Sequence, residues 1–310
     1  MQILLTGAAG LVGKNILEHP ELKEISSKWL TPTRSELNLL DYPNVKRYIE
    51  THKPDLIIHA AGTVGGIQAN IDQPVRFLIE NLDMGRNVVA AAKQGGIKKM
   101  INLGSSCMYP KLAPNPLREE MMLSGELEST NEGYALAKIT IAKLCEYIHR
   151  EDPEYQYKTL IPCNLYGRWD KFAPNRSHMI PAAIRKIHEA KIKGTRQVEI
   201  WGDGQARREF MYAGDLADCL IRAIACFDRL PSIMNVGMGT DYSINEYYRI
   251  IADVIGYDGE FIHDVIKPVG MRQKVVSITK QTSWGWNPST TLEEGIRHTY
   301  AFYLEGDENS

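Results

Sequence analysis

The chain has 310 residues, of which 44% are hydrophobic and 24% charged, and its formal net charge at pH 7 is -2. This nearly balanced charge leaves no basic surface for nucleic acid, and no apolar run reaches the roughly 18 residues of a transmembrane helix. The five cysteines form no CxxC pair, which argues against a disulfide framework and against a structural zinc site. The N-terminus, MQILLTG, lacks the pattern of a secretory signal. We therefore expect a cytoplasmic protein with a small-molecule partner and without a metal ion, nucleic acid or membrane.

Strand-like and helical segments alternate along the first half of the chain. Apolar runs predict strands at residues 1–5, before TPT (31–33), at 55–62 and at 98–105. Apolar residues at helical spacing predict helices at 11–17, 42–51, 81–93 and 134–150. Such alternation with short connections predicts a parallel sheet covered by helices, and right-handed crossovers make it a doubly wound, Rossmann-type α/β fold.

The regular alternation ends near residue 165. The segment that follows, GRWDKFAPNRSHMIP, is rich in proline and charge. We predict a dinucleotide-binding Rossmann domain of residues 1–165, and residues 166–310 as mainly a smaller α/β lobe that binds the substrate. Some segments of the second part are expected to return to the first domain.

A glycine-rich turn, TGAAGLVG, follows the first predicted strand. Gly7, Gly10 and Gly13 allow a tight turn, a close approach of the backbone and close helix packing, and the helix N-terminus offers free N–H groups to a pyrophosphate. Their spacing is GxxGxxG rather than GxGxxG, and an ordinary strand-to-helix turn could hold the same residues. At this place in an alternating α/β chain, the turn predicts a dinucleotide site.

The end of the second predicted strand indicates which dinucleotide binds. NAD sites commonly place an acid there for the ribose 2′-hydroxyl, whereas a 2′-phosphate needs a cation. Here Arg34 follows TPT and the first acid is Glu36. This favours NADPH, with Arg34 as a mere surface charge as the alternative.

Three residues predict reductase chemistry. Tyr134 and Lys138 in NEGYALAK are four apart, so both side chains emerge on one helix face. A phenol is a poor acid-base catalyst at pH 7 unless a nearby cation favours its phenolate, and we expect Lys138 to supply that cation. Ser105 lies at the carboxyl end of the fourth predicted strand, where ligands of open α/β sheets bind, and its hydroxyl could hold a substrate carbonyl.

Taken together, these motifs resemble the extended short-chain dehydrogenase/reductase family of nucleotide-sugar enzymes. The resemblance covers essentially the whole chain. Within that family, the chain resembles more specifically the GDP-L-fucose synthase type, which are the epimerase-reductases of GDP-4-keto-6-deoxymannose. The segments that carry it are TGAAGLVG, ELNLLD, VGGI, LGSSCMYPK, TNEGYALAK, CNLYG, SHMIPA and WGDGQARREF.

The resemblance implies an epimerisation pair made of Cys107 and His178. A 4-keto group acidifies the hydrogens on C3 and C5, and inversion requires one group to remove a proton and another to deliver one to the opposite face. A thiol and an imidazole can both be tuned towards neutral pH. The alternatives are a buried filler for Cys107 and a locally bonded loop histidine for His178. His59 and His188 are taken as structural.

The resemblance also implies a cycle and binding residues. After epimerisation, the nicotinamide gives hydride to C4 while Tyr134 protonates the alkoxide, Ser105 orients the oxygen and Lys138 bonds the nicotinamide ribose. The implied cofactor-binding residues are Gly7, Gly10, Leu11, Val12, Gly13, Arg34, Leu40, Asp41, Ala61, Pro162, Asn164 and Leu165. The implied contacts of the GDP-sugar are Lys186, Trp201, Arg208 and Lys274, with a core anchor as the alternative for Trp201.

Several alternatives stay open at this point. Ala8 and Ala9 stand where the best-known members carry a basic residue, so Arg34 must hold the 2′-phosphate alone. The same catalytic set occurs in GDP-L-colitose synthases, which invert only C5, and in C4-reductases of GDP-6-deoxy-4-keto heptoses. An NAD-dependent 4-epimerase, a 4,6-dehydratase and a non-enzymatic cofactor sensor fit less well. The family also leads us to expect a homodimer, through helices 81–93 and 134–150, and a role in making a glycan such as O-antigen.

Overall fold

The computed structural model describes residues 1–23, 25, 27–174 and 177–307. Its strands are β1 (Gln2–Thr6), β2 (Lys28–Leu30), β3 (Leu56–His59), β4 (Lys99–Leu103), β5 (Gln156–Pro162), β6 (Asn164–Tyr166), β7 (Gln197–Trp201), β8 (Arg207–Arg208), β9 (Phe210–Tyr212), β10 (Ile233–Val236), β11 (Tyr242–Ser243), β12 (Glu260–Asp264) and β13 (Gln273–Lys274). Its α-helices are α1 (Leu11–Leu17), α2 (Tyr42–His52), α3 (Ile67–Asp72), α4 (Pro74–Gln94), α5 (Glu132–Glu151), α6 (Met179–Lys193), α7 (Ala213–Ala225), α8 (Ile244–Ile255), α9 (Thr279–Trp284) and α10 (Leu292–Asp307).

The main sheet of the described chain is parallel and has the strand order β10-β5-β4-β3-β1-β2. Its central strands are continuous apolar runs, as expected for strands covered by helices on both faces. Side chains alternate between two cores: Ile3 and Leu5 pack in the layer of α1 and α7, whereas Leu4 packs in the layer of α2, α4 and α5. The carboxyl ends of β1, β3, β4 and β5 therefore meet along one edge.

Helix α4 begins earlier than the sequence pattern predicts. The prediction started at Asn81, but the helix starts at Pro74, and proline is favourable in the first turn because its fixed φ suits a helix and its missing N–H is not needed there. Within the described residues, no helix is long and apolar enough to cross a membrane.

The smaller lobe has its own apolar core. Side chains of α6, α8 and the parallel pair β7–β12 form it, among them Ile184, Val198 and Ile251. Other parts of the chain beyond residue 165 lie in the main body: β10 pairs with β5 at the sheet edge, and α7 packs beside α1. The cleft between the two bodies lies at the carboxyl edge of the sheet.

Candidate active site

The end of β4 places a hydroxyl next to a thiol. Ser105 caps a short 3-10 turn of residues Ser106–Met108, and its Oγ accepts a hydrogen bond from the backbone N–H of Cys107 at 3.2 Å. Both side chains are partly exposed. The turn thus brings together the residue predicted for reduction and the residue predicted for epimerisation.

Helix α5 presents Tyr134 and Lys138 to the same place. The Lys138 ammonium donates a hydrogen bond to the carbonyl of Leu103, the last residue of β4, at 2.9 Å and lies 5.8 Å from the centre of the Tyr134 ring. Burial lowers the pKa of Lys138 to about 8. Burial also raises the pKa of Tyr134, with the neighbouring Cys107 adding to the shift and a hydrogen bond with Ser105 opposing it.

The expected role of Lys138 in lowering the tyrosine pKa is therefore corrected. Desolvation of the phenolate dominates at Tyr134, so the phenol stays protonated at neutral pH. A protonated phenol is the form that can donate a proton to an alkoxide during ketone reduction.

The sulfur of Cys107 faces two donors. The side-chain amide of Asn131 donates a hydrogen bond to Sγ at 3.2 Å, and the ammonium of Lys274 approaches it at 3.6 Å. Asn131 immediately precedes α5, and Lys274 belongs to β13 in the smaller lobe. Sequence reasoning missed Asn131 and expected Lys274 to contact only the nucleotide sugar. An amide donor and a cation are groups that stabilise negative charge on sulfur.

His178 is the residue immediately before α6. Burial, helped by the charges of Lys274 and Lys171, lowers its pKa to about 4, so the imidazole is neutral at pH 7. The preceding residue, Ser177, packs closely on Gly66: a Cβ at Gly66 would lie 3.0 Å from the Ser177 carbonyl oxygen. Gly66 of the VGGI segment thus packs against the residue that precedes the histidine.

One cavity of about 350 Å³ connects the two bodies. Its lining includes the epimerisation pair Cys107 and His178, with Asn131 and Asn164, and the four predicted substrate-binding residues Lys186, Trp201, Arg208 and Lys274. Ser105, Tyr134 and Lys138 adjoin this cavity through Cys107 and the end of β4. The structure therefore groups the predicted catalytic and substrate residues around a single space.

The part of the cavity that the smaller lobe forms carries an indole and cations. Trp201 is 36% exposed and its ring nitrogen donates to the carboxylate of Glu199 at 2.9 Å, so it is not a core anchor of the smaller lobe. The Lys186 ammonium lies 5.7 Å from the Trp201 ring centre. Arg208 is bonded to the carbonyls of Arg207 and Val269, and burial lowers its pKa. An exposed ring face beside cations suits a planar base and a diphosphate.

The glycine turn has the shape that a pyrophosphate requires. Gly7 has a φ of +75°, and a Cβ there would lie 2.7 Å from the backbone nitrogen of Ala61. A Cβ at Gly13 would lie 2.5 Å from the Cα of Ala8. Gly10 precedes α1 with no side-chain cap, so the first N–H groups of the helix face an open cradle. These residues fit a dinucleotide, which would supply a hydride donor next to the end of β4.

The two acids of the segment after β2 make local hydrogen bonds. Glu36 accepts hydrogen bonds from the backbone N–H and the hydroxyl of Thr33, at 2.7 and 2.8 Å, whereas Arg34 is exposed. Asp41 caps α2 by accepting a hydrogen bond from the backbone N–H of Asn44 at 3.3 Å. Arg34 is near Glu80, whose pKa it helps to lower, and its exposed guanidinium suits a 2′-phosphate.

The other predicted cofactor residues occupy the same edge of the sheet. Pro162 ends β5, and the side-chain amide of Asn164 donates to the Glu209 carbonyl at 2.8 Å. Leu40 is exposed beside the cap of α2, Leu11 and Val12 lie in α1, and Leu165 lies in β6.

Comparison with known proteins places the chain in a family. A model described as the NAD dependent epimerase/dehydratase family matches residues 3–237. Over 309 residues, the chain is 57% identical to the GDP-L-colitose synthase of Yersinia pseudotuberculosis, covering 100% of both chains. It is 48% identical to the GDP-L-fucose synthase of Azorhizobium caulinodans, covering 99% of this chain and 97% of that one. Among solved structures, the GDP-mannoheptose C4 reductase from Campylobacter jejuni with NADP bound has a TM-score of 0.87 and 31% identity, covering 98% of each chain.

The chain therefore belongs to the NAD dependent epimerase/dehydratase family of extended short-chain dehydrogenases/reductases. The similarity covers the full length of the GDP-L-colitose synthase and 97% of the GDP-L-fucose synthase. The family and the Rossmann-type fold predicted from the sequence are both confirmed.

Proposed function

We propose that this protein is an NADPH-dependent epimerase-reductase of a GDP-4-keto-6-deoxy sugar, of the GDP-L-fucose synthase type. One observation carries the proposal. The Cys107 sulfur, held between an amide and an ammonium, shares a cavity with the neutral imidazole of His178 and adjoins Ser105 and Tyr134. A site for proton transfer at carbon thus joins a site for ketone reduction.

Epimerisation uses the two titratable groups of the cavity. A carbon next to the 4-keto group loses its proton to one of them, the electron pair moves to the carbonyl oxygen as an enolate, and the other group returns a proton to the opposite face. The pair alternates between thiol with imidazole and thiolate with imidazolium. Asn131 and Lys274 stabilise the sulfur in its negative form.

Reduction uses the residues at the end of β4 and on α5. NADPH supplies the hydride to C4 when bound. The protonated phenol of Tyr134 gives its proton to the developing alkoxide, and the Ser105 hydroxyl holds that oxygen. Lys138, fixed on the Leu103 carbonyl, keeps a positive charge beside the phenol below about pH 8.

The GDP half occupies the part of the cavity that the smaller lobe lines. Arg208 and Lys186 carry charges that suit a diphosphate, and Trp201 offers a ring face for the base. Lys274 contacts Cys107, so we assign it to the sugar end rather than to the diphosphate.

The choice of sugar has a second candidate. The relative with 57% identity is a GDP-L-colitose synthase, and this favours GDP-4-keto-3,6-dideoxymannose as the alternative substrate, with inversion at C5 alone. A GDP-6-deoxy-4-keto heptose is a third possibility, because a GDP-mannoheptose C4 reductase has the same fold.

We further propose a cytoplasmic homodimer that supplies a sugar for a surface glycan such as O-antigen. Exposed apolar side chains on neighbouring helices support the dimer: Val75 and Ile79 on α4, and Leu136 and Tyr147 on α5. Two such helix pairs could form a four-helix interface.

The test is an incubation with NADPH and GDP-4-keto-6-deoxymannose in deuterated water, followed by product mass and ring-proton couplings. Deuterium at C3 and C5 with NADPH consumed supports the fucose-type activity. With the 3,6-dideoxy substrate, deuterium at C5 supports the colitose type. Reduction of either sugar without ring deuterium contradicts epimerisation and indicates a C4-reductase.

Variants assign the two half-reactions. Cys107→Ser and His178→Asn should each lower deuterium incorporation by about 10²-fold or more, the usual contribution of a positioned acid or base. Tyr134→Phe should stop NADPH oxidation while ring exchange continues. Cys226→Ser, a partly exposed cysteine outside the cavity, is the matched control.

A further inference from the structure

Glu209 is a buried carboxylate that the proposed chemistry does not use. It is 1% exposed, between the cavity residue Arg208 and the strand β9. Its Oε1 accepts hydrogen bonds from the backbone N–H groups of Met238 and Gly239, at 2.6 and 2.7 Å, and its Oε2 accepts one from Val276 at 2.8 Å. One side chain therefore ties together two segments that are distant in sequence.

The second of these segments carries Lys274. The Val276 N–H that Glu209 binds lies two residues after Lys274, and the backbone N–H of Glu209 donates to the Lys274 carbonyl at 3.2 Å. Glu209 thus fixes the backbone at Lys274 and just beyond it. The Lys274 side chain is 8% exposed, and its ammonium lies 3.6 Å from the Cys107 sulfur.

The other segment that Glu209 binds, residues 237–239, packs closely around the same carboxylate. A Cβ at Gly237 would lie 2.5 Å from Glu209 Oε1, so only glycine leaves room for it. Burial raises the pKa of Glu209 to about 7, while its three N–H donors and the Lys274 charge oppose that shift. A buried carboxyl is costly, and here each oxygen accepts at least one hydrogen bond from a backbone N–H group.

We propose that Glu209 is a positioning residue of the epimerisation site, whose carboxylate clamps the backbone at Val276, two residues beyond Lys274, and so holds the Lys274 ammonium against the Cys107 sulfur. This rests on the proposed role of Cys107 in proton transfer. The attraction between a cation and a thiolate falls with distance, and catalytic groups lose efficiency when displaced by about 1 Å. Loss of the clamp should therefore act on Cys107, although Glu209 does not touch it.

Other groups also face the sulfur and must be separated from Lys274. Asn131 donates to it, and the charge of Cys107 is coupled to Arg208 and Tyr134. A double-mutant cycle isolates the path from Glu209 through Lys274, because two residues that act through one contact have non-additive effects.

The experiment is the alkylation rate of Cys107 by iodoacetamide at pH 7, without substrate, followed by peptide mass spectrometry. The thiolate is the reacting form. We expect Lys274→Met to slow the reaction by about tenfold, because a cation close to the sulfur favours the reacting thiolate. Glu209→Gln should slow it by a similar factor, and the double variant should be no slower than Lys274→Met alone. Cys226, which is partly exposed, gives an internal standard in the same sample.

Asp215 provides the matched control. It is another buried carboxylate that accepts backbone N–H bonds, from Ser289 and Thr290, but it lies outside the cavity. Asp215→Asn should lower thermal stability and leave Cys107 alkylation unchanged. If Glu209→Gln does not fold, Glu209→Asp keeps the charge but is too short to reach both segments, and should slow alkylation in the same way.

The proposal is overturned if Glu209→Gln lowers stability as Asp215→Asn does and alkylates Cys107 at the wild-type rate, or if the double variant shows additive slowing. Because no sugar is used, failure of this clamp is distinguishable from failure of the proposed function. The latter would appear as absent ring deuterium in the wild-type protein, whatever the alkylation rates.

Discussion

Lys138 is a buried cation whose charge changes within the working pH range. Burial lowers its pKa to about 8, whereas the pKa of Tyr134 is raised, so the lysine loses its proton first as pH rises. We expect NADPH oxidation to decline above about pH 8 because the positive charge next to the phenol is lost. Lys138→Arg should react more slowly overall but lose this alkaline decline, since a guanidinium stays protonated.

The control for this pH profile lies on the same helix. Lys143 of α5 is paired with Glu146, away from the end of β4, and Lys143→Arg should leave both the rate and the profile unchanged. An alkaline decline that persists in Lys138→Arg would assign the titration to a different group.

The glycine turn gives a second prediction at the residue scale. Gly13→Ala would push a methyl group into the backbone of Ala8, so we expect a loss of about 1–3 kcal/mol in the free energy of unfolding, as for overpacking in a dense core. Calorimetric NADPH binding should weaken together with urea stability. Gly306→Ala is the control, because a Cβ there meets no atom of the described residues within 4 Å. Equal behaviour of the two variants would contradict the close approach.

Local patterns predicted the residues that share a turn or a helix face. Ser105 and Cys107 are two residues apart, and Tyr134 and Lys138 are one helical turn apart, so spacing alone places each pair together. The environment of the sulfur could not be predicted in this way. Asn131 is 24 residues and Lys274 is 167 residues from Cys107, and only tertiary packing brings both to one atom. The dominance of burial over charge at Tyr134 is likewise a property of the fold.

At the scale of elements, α4 and α5 form a close helix pair. A Cβ at Gly85 of α4 would lie 2.5 Å from Cγ1 of Ile141 on α5. Gly85→Ala should therefore destabilise the protein by about 1–3 kcal/mol, although alanine is the better helix former. The double variant Gly85→Ala with Ile141→Ala should lose less than the sum of the single variants in urea unfolding, because the added methyl group fills part of the space. Strict additivity would mean that the two helices are not in contact at this point.

The bounds of α4 show what element prediction lacks. Apolar periodicity is strong from Asn81 onwards, but the first two turns contain exposed Val75 and Ile79, which blur the pattern. Pro74 in the first helical turn is the local signal for the true start. The remaining helices predicted in the first half lie within two residues of their observed ends.

For the whole molecule, alternation of strands and helices was enough to predict the parallel sheet. It could not predict that β10, about 70 residues after β5, completes the sheet edge. Pairing between strands that are distant in sequence depends on where the intervening lobe folds. The cavity follows from that return of the chain, because Lys274 and Arg208 of the lobe reach the end of β4 only in the assembled protein.

The balance of buried titratable groups sets the pH dependence of stability. His59 and His178 have pKa values lowered to about 3 and 4, so the unfolded chain binds more protons than the folded one below about pH 6.5, and their contribution to stability falls as pH falls through that range. Asp170 and Glu209 act in the opposite sense. Burial raises both pKa values to about 7, so the folded protein keeps protons that the unfolded chain releases, and stability falls as pH rises from about 4 to 7.

Replacing one of these buried groups should change how the free energy of unfolding depends on pH. One carboxylate oxygen of Asp170 is buried without a hydrogen-bond partner, so its charge at pH 8 is costly to the folded state. Asp170→Asn carries no charge, and its free energy of urea unfolding should exceed that of the wild type at pH 8, with the difference shrinking towards pH 5. Asp258→Asn, at an exposed carboxylate, should give the same small difference at both pH values. If Asp170→Asn raises the free energy of unfolding equally at pH 5 and pH 8, the substitution acts through packing and not through the buried charge.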